Sequence, residues 1–422
     1  MRRLTSLATL AAALSTGLPA AAQTPPNESQ QAITRADAVA SALLRGPLLA
    51  IARADSAAAF AQWLTAGALD NPGLSLSYSK SAPRYHVGLD LPLDLPWVRR
   101  DRIGAAEQQR RGAQYRFAFA RAATALAADT TYTVALAAAA RARLAQRNAA
   151  DADSLWRIAR TRREAGDASD LDVRLAEVYA GQQLNLAAAD SLALASALLD
   201  VQGVMGLARE DVRIALTDSL GPPPDSDASA PPPEGPAVAA AIPLRVAAAS
   251  NALAAAEIGV RLQRRALYGI PSLSAGFETR DPGGSERGVL PTIGFTLPLP
   301  LLNRNRGGIA AAQADRDRAT AELTLARIES ATEIARLQRT RLTALQKVWR
   351  DQALLASAER VAAMALTAYR EGAAALPNVL EARRSAREIM SQTIDDLALA
   401  WIASATLRVM SLTTVPDARS SR

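Results

Sequence analysis

The sequence predicts a mainly α-helical fold carrying strands for a membrane β-barrel, built as one half-protein repeated. Three observations lead there. The stretch His86-Val-Gly-Leu-Asp-Leu-Pro-Leu-Asp-Leu95 returns 206 residues later as Thr292-Ile-Gly-Phe-Thr-Leu-Pro-Leu-Pro-Leu301. Both stretches alternate apolar and other residues with period two, as strands with one apolar face do. Each is then followed by a very long run of helical period. The same offset pairs Arg100 with Arg306, Ile103 with Ile309, Gly166 with Gly372 and Val173 with Val379. A unit this long exceeds the roughly 20–50 residues of solenoid repeats, so it is a duplicated half.

Residues 1–22 read as a secretory signal peptide: Arg2 and Arg3, an apolar core from Leu4 to Leu18, and Ala20-Ala21-Ala22 as a small-residue cleavage site. The apolar run is shorter than the ~20 residues of a spanning helix. The chain has no cysteine, so an exported form relies on packing or assembly rather than disulfides, and no acylated N-terminus is available. Beyond the signal no window of about 20 uninterrupted apolar residues occurs, so membrane residence calls for a barrel.

The first structural repeat spans residues 23–217. Gln31 to about Gly67 is alanine-rich and helix-prone, with Thr34 and Asp37 near its start as caps. Asn71-Pro72-Gly73 breaks it. A β-hairpin follows over 73–95: Leu74, Leu76 and Tyr78 alternate with serines, and Val87, Leu89, Leu91, Leu93 and Leu95 with His86, Gly88, Asp90, Pro92 and Asp94. Ser81-Ala-Pro-Arg84 is the turn, and each strand has about the 9–11 residues that a tilted membrane strand requires. From Val98 to Arg163 there is no proline. Such a helix is a rod of roughly 90–100 Å, with the length of a coiled coil rather than a globular core. It stops at Gly166, with Ser169 or Asp170 as the cap of a return helix from Asp170 to Leu207.

Residues 218–236 form a proline-rich linker of low complexity. Asp225, Asp227 and Ser229 begin like a calcium loop but lack its glycine and closing glutamate. The second repeat, 237–412, holds a helix, a β-hairpin over 271–301 with the turn Asp281-Pro-Gly-Gly-Ser285, and a rod from Ile309 to Arg370. Its tip lies near Gly372, with Pro377 in the first turn of a return helix to Leu412. A disordered tail, 413–422, is expected to close the chain.

Four amphipathic strands cannot close a barrel, whose smallest membrane form needs about eight. Copies of the chain supply the rest: two give eight strands and three give twelve, three leaving room for a lumen. Ser75, Ser77, Asp90, Asp94, Thr292 and Thr296 would then line water, with Tyr78 and Trp97 near strand ends as interfacial aromatics. A soluble hairpin packed on helices is the alternative that the pattern leaves open.

The order signal, helix, hairpin, long helix, glycine turn, return helix, and then the same again resembles the TolC-type outer-membrane efflux family. The most specific piece, Leu297-Pro-Leu-Pro-Leu-Leu-Asn-Arg-Asn-Arg-Gly-Gly-Ile309, is especially similar to the CzcC-like heavy-metal efflux branch. Tyr369 to Gly372 with Val379-Leu-Glu-Ala382 resembles that family's second periplasmic tip, and Gly166 to Val173 the first. The resemblance implies a homotrimer: a twelve-stranded outer-membrane barrel continued by an α-helical periplasmic tunnel. It implies docking of a periplasmic adapter at Gly166, Asp167, Ser169, Asp170, Gly372, Ala373, Leu376 and Pro377, and beyond it an inner-membrane pump of RND type. Pro92, Trp97, Pro298, Pro300 and Asn303 would mark the barrel-to-helix junctions. Asp167, Asp170 and Asp172 suit either an acidic tunnel entrance or the capping of a helix start. Ala373-Ala-Ala375 is blander than the small polar residues of the family's tips.

Net charge is +7, nearly all from arginine, but the arginines are interleaved with Asp and Glu along helices, so nucleic-acid binding is not expected. His86 is the only histidine and stands without cysteine, so no metal site or cofactor is expected. There is no Gly-Lys-Ser/Thr loop and no Gly-x-Ser-x-Gly elbow. Glu107, Glu164 and Glu177 fall in helical surface patterns with no sign of pairing for acid–base work. The expectation is a non-enzyme: a passive trimeric duct in outer-membrane lipid, exporting small molecules or metal ions. The alternative is a periplasmic coiled-coil structural or adapter protein without a barrel.

Overall fold

The computed structural model describes residues 31–80, 84–207, 214–223, 242–279 and 288–413. The signal peptide, both hairpin turns, most of the linker with its calcium-like run, and the tail past Thr413 lie outside the described residues. The chain begins with β1 (Gln31–Ile33), α1 (Arg35–Arg45) and α2 (Pro47–Gly67). The single first helix expected from the alanine content is therefore two. Gly46 is extended and Pro47 opens α2, because proline has no N–H for a continuing helix. Thr34 caps α1 through a capping box with Asp37.

Next come β2 (Gly73–Tyr78), β3 (Tyr85–Pro92), α3 (Pro96–Glu164) and α4 (Asp170–Val204). The second half has β4 (Ile214–Leu216), α5 (Leu244–Arg265), β5 (Ser272–Thr279), β6 (Val289–Thr296), α6 (Arg306–Arg370) and α7 (Leu376–Met410). The return helices α4 and α7 each hold 35 residues, and their bounds differ by the same 206 that relates the sequences.

The strands are shorter than the alternation suggests: β2 has 6 residues and β3, β5 and β6 have 8 each. The pattern of leucines runs on to Leu95 and Leu301, but pairing ends at Pro92 and Thr296. Prolines 92, 298 and 300 fall where the ladder stops, since each removes a donor. The four strands form one antiparallel sheet in the order β2-β3-β5-β6. Its two outer strands, β2 and β6, each have one edge without a partner among the described residues.

Two features escaped the sequence. β1 and β4 pair in parallel, Gln31 with Ile214, closing a core of Ile33, Tyr132, Leu136, Val201 and Met205 among α1, α3 and α4. The Tyr132 hydroxyl donates to the Ile33 carbonyl at 2.9 Å. And α4 is, by length and composition, apolar enough to cross a membrane, although no uninterrupted apolar window was expected. It lies along α3 instead, with Leu171, Val178, Leu184, Leu192 and Leu199 exposed on its outer side.

Candidate conduit wall, junctions and helix tips

Strand alternation sorts the sheet into two faces. One carries rows of apolar side chains in register: Leu76, Val87 and Phe277; Leu74, Leu89, Ala275 and Ile293; Leu91, Leu273 and Phe295. These large residues are exposed, Ile293 to 84% and Leu76 to 71%. A sheet face this apolar and this open has the character of a lipid-facing wall.

The other face is small and polar. Ser75, Gly88, Gly276 and Thr292 form one row across all four strands. A Cβ on Gly276 would lie 2.6 Å from the Val87 carbonyl oxygen and 2.9 Å from Thr292 Oγ1, so the strands close in on this face and only glycine fits. The next row toward the hairpin turns holds Ser77, His86, Glu278 and Leu290. His86 Nδ1 stands 3.3 Å from Glu278 Oε1. The lone histidine therefore has a carboxylate partner that sequence reading missed, because the β3–β5 register is set only by tertiary pairing.

The two junctions are built differently. At the first, Asp94 takes Arg102 at 2.6 Å and Arg99 at 3.5 Å. These arginines also donate to the Gly67 and Ala66 carbonyls at the end of α2. Asp94 was expected on a water-lined strand face; it lies past the strand and clamps α2 to α3. Trp97 is exposed in the first turn of α3. At the second junction Asn303 Oδ1 accepts from the Asn305 amide at 3.0 Å. Asn305 sits in the left-handed region (φ 52) and donates to the Gln263 carbonyl and Oε1. A Cβ on Gly308 would fall 2.3 Å from Asn305 Oδ1. The asparagines and glycines of the motif thus shape a tight bend into α6. Pro298 is packed against Gly269, whose φ of +60 a side chain would strain. Pro300 is half-buried between strand and bend.

The tips come together at the far end of the rods. Gly166 (φ 85) and Gly372 (φ 79) both adopt the left-handed conformation that ends α3 and α6. Ser169 caps α4 through a capping box with Asp172. Asp170 pairs with Arg163 at 3.2 Å. Of the three acidic residues, Asp172 is thus committed to capping and Asp170 to an ion pair, while Asp167 is exposed with no ion pair among the described residues. Gly166, Ser169, Gly372, Ala373 and Pro377 are exposed at the surface. Leu376 is not: it is fully buried in a core with Leu155, Ala159, Val173, Tyr369 and Val379 that fuses the two tips. Its placement among docking residues is corrected on that account, since its side chain faces the other tip.

Burial, reinforced by the charge of Asp172 and only partly opposed by the nearby Arg162 guanidinium, pushes the Tyr369 phenol above its ordinary value, and its hydroxyl has no hydrogen bond of good geometry among the described residues. Glu107, Glu164 and Glu177 each sit in a local ion pair with an arginine one turn away. No cluster of metal-ligating side chains occurs among the described residues.

A family model described as outer membrane efflux protein matches residues 38–207 and 239–411, which is both halves. The chain belongs to the outer membrane efflux protein family. It is accordingly an outer-membrane efflux channel with a periplasmic extension. No curated protein matches the chain. Among solved structures, a membrane protein from Pseudomonas aeruginosa is 23% identical with a TM-score of 0.78, the match covering 90% of this chain and 93% of that one. The channel protein CusC is 18% identical, TM-score 0.76, over 90% and 92%. The outer membrane protein VceC from Vibrio cholerae is 17% identical, TM-score 0.72, over 89% and 96%. At these identities the likeness is one of fold. The family is one of channels rather than enzymes.

Proposed function

We propose that three copies of this chain close a twelve-stranded barrel in the outer membrane and continue it as an α-helical tunnel across the periplasm. The observation that carries this is the four-stranded sheet with two unpaired edges and an exposed apolar face. Open edges are not tolerated in lipid, and four strands cannot close on themselves. Pairing β6 of one copy with β2 of the next satisfies every edge at once. The exposed leucines of α4 would pack against a neighbouring copy in the tunnel wall.

The duct is passive and is not an enzyme. Energy would come from an inner-membrane pump, of RND type by the resemblance, through a periplasmic adapter docking on Gly166, Asp167, Ser169, Asp170, Gly372, Ala373 and Pro377. Of the three tip aspartates, Asp167 is the one with neither an ion pair nor a capping role among the described residues, and it would serve an acidic entrance. The junction motif through Asn303 and Asn305 supports the CzcC-like branch, and with it export of metal ions as cargo rather than as bound cofactor.

Fractionation tests the reading. It expects a heat-modifiable species of about three times the monomer mass in the outer membrane. A monomer released with the soluble periplasm would overturn it.

A further inference from the structure

The duplication that relates the two halves also relates two cavities along the rods. One, of about 420 Å³, is floored by Arg141, Leu144, Ala145 and Asn148 of α3 with Leu186 and Asp190 of α4. The other, of about 530 Å³, is floored by Lys347, Arg350, Asp351 and Leu354 of α6 with Gln392 and Asp396 of α7. Each residue of the second floor is its counterpart in the first plus 206. The floors are equivalent, but their surroundings are not. The first cavity has a third wall, in which α7 sets Arg384, Arg387, Glu388 and Ser391 over the α3–α4 pair. Arg387 donates to the buried Gln183 of α4 at 2.6 Å, and one turn nearer the tips Arg383 pairs with Asp151 of α3 at 2.8 Å. The second cavity is lined by α6 and α7 alone.

Subtracting 206 from the residues of the α7 wall gives Val178, Gly181, Gln182 and Asn185 of α4. All four are exposed, and open space surrounds the Cβ position of Gly181. The face that α7 turns to α3 and α4 is thus the face that α4 turns outward. The α4 of the same chain cannot reach the open cavity, since packing runs α4, α3, α7, α6 and leaves α4 and α6 on opposite flanks. The second floor also lacks a donor: Asp351 Oδ2 is buried with no hydrogen bond of good geometry among the described residues. A side-chain carboxamide donates to a carboxylate without bringing a charge of its own, and the outward face of α4 carries two, on Gln182 and Asn185.

We propose that α4 of a neighbouring copy supplies the missing third wall of the α6–α7 cavity, with its Gln182 and Asn185 over Asp351 and Asp396. The inference rests on the trimeric reading above and adds to it which helices meet and in what register. Contact between copies repeats contact between halves, so α6 lies between α7 and the neighbour's α4 as α3 lies between α4 and α7. Gly181, a glycine in mid-helix with nothing beside it in its own chain, suits the close approach of a second helix.

The absence of cysteine makes the test direct. The Arg383–Asp151 pair maps onto Glu177 of one copy and Ser357 of the next, both exposed. With Glu177→Cys and Ser357→Cys in the same chain, a short bis-methanethiosulfonate reagent should cross-link outer-membrane fractions into dimers and trimers on denaturing gels. Either substitution alone should give no cross-link. Gly181→Phe meets nothing in its own chain, and it should abolish the trimer while helical circular dichroism is retained. Trimers that form in the double variant without cross-linking, or that form at full yield with Gly181→Phe, overturn this interface and leave the barrel reading standing. If the unmodified sequence forms no trimer, the barrel reading fails and this one falls with it.

Discussion

The Arg162 guanidinium lies 4.7 Å from the centre of the Tyr369 ring and donates to the Tyr369 carbonyl. The same side chain donates to the Asp167 carbonyl at 3.0 Å. One residue of the first tip thereby holds the last turn of the second rod and its own tip loop. A charge-assisted hydrogen bond contributes about 1.5–3 kcal/mol, and a cation over an aromatic face about 0.5–1 kcal/mol more. Arg162→Ala should therefore speed amide exchange at 369–374 by about tenfold or more, with Arg162→Lys restoring only part of the protection. Unchanged exchange would show that the apolar tip core holds the hairpins together alone.

Tyr369→Phe removes a buried hydroxyl that makes no hydrogen bond of good geometry among the described residues. It should be neutral or stabilising by up to about 1 kcal/mol at pH 7. The pH dependence has a definite sign. The folded phenol is raised by burial and by Asp172, so the unfolded chain ionises first, and stability falls as pH rises past about 10. Thermal melts at pH 8 and pH 10.5 should show a smaller alkaline loss in Tyr369→Phe than in the original.

Gly166→Val and Gly372→Val each place a β-branched residue at positive φ, at φ 85 and 79. Each should cost about 1–2 kcal/mol of tip stability and abolish efflux, while trimers still assemble in the outer membrane. Measuring both readouts matters, because loss of assembly would place the glycines' role in the barrel instead.

Gly276→Val should act at the opposite end. Its Cβ would meet the Val87 carbonyl at 2.6 Å, so the sheet must open. Yield of heat-modifiable trimer should fall severely, with helical circular dichroism retained. Gly288→Val is the control, since nothing lies within 4 Å of its Cβ position.

Asp351 on α6 is raised above the usual carboxylate range, first by burial and then by the charge of Asp396 on α7. A carboxyl raised in the folded state contributes stability when protonated and loses it as pH rises through the folded value. Asp351→Asn should thus stabilise at pH 7, by about 0.5 kcal/mol given its exposure, and show no gain at pH 3.5. Equal gains at both pH values would refute the carboxylate repulsion.

The tips were legible because the local chemistry is decisive. Glycine at 166 and 372 is the natural stop for a long helix, and Ser169 with Asp172 spells a capping box. The strands were legible in kind but read too long, because the leucine alternation persists past prolines that end the pairing. Asn305 carried no signal on its own: a left-handed asparagine is fixed by Gln263, 42 residues earlier. The β1–β4 pair spans three residues a side, too short for any period to register. Leu376 was misplaced for a related reason. Its neighbour Pro377 is exposed, and only the approach of α3 decides which of the two turns inward.

The equal offset of the tips and the unequal junctions together set a rule of length. α3 has 69 residues and α6 has 65, yet both stop in step, so the difference is taken up where α6 leaves the strands. Each residue added to a rod would advance its tip by about 1.5 Å and rotate it by roughly 100°, pulling Tyr369 out from beneath Arg162. Lengthening this molecule is therefore a vernier problem. Changes near the barrel can slide into the bend at Asn305, but changes along the rods must be made in both halves and in whole turns.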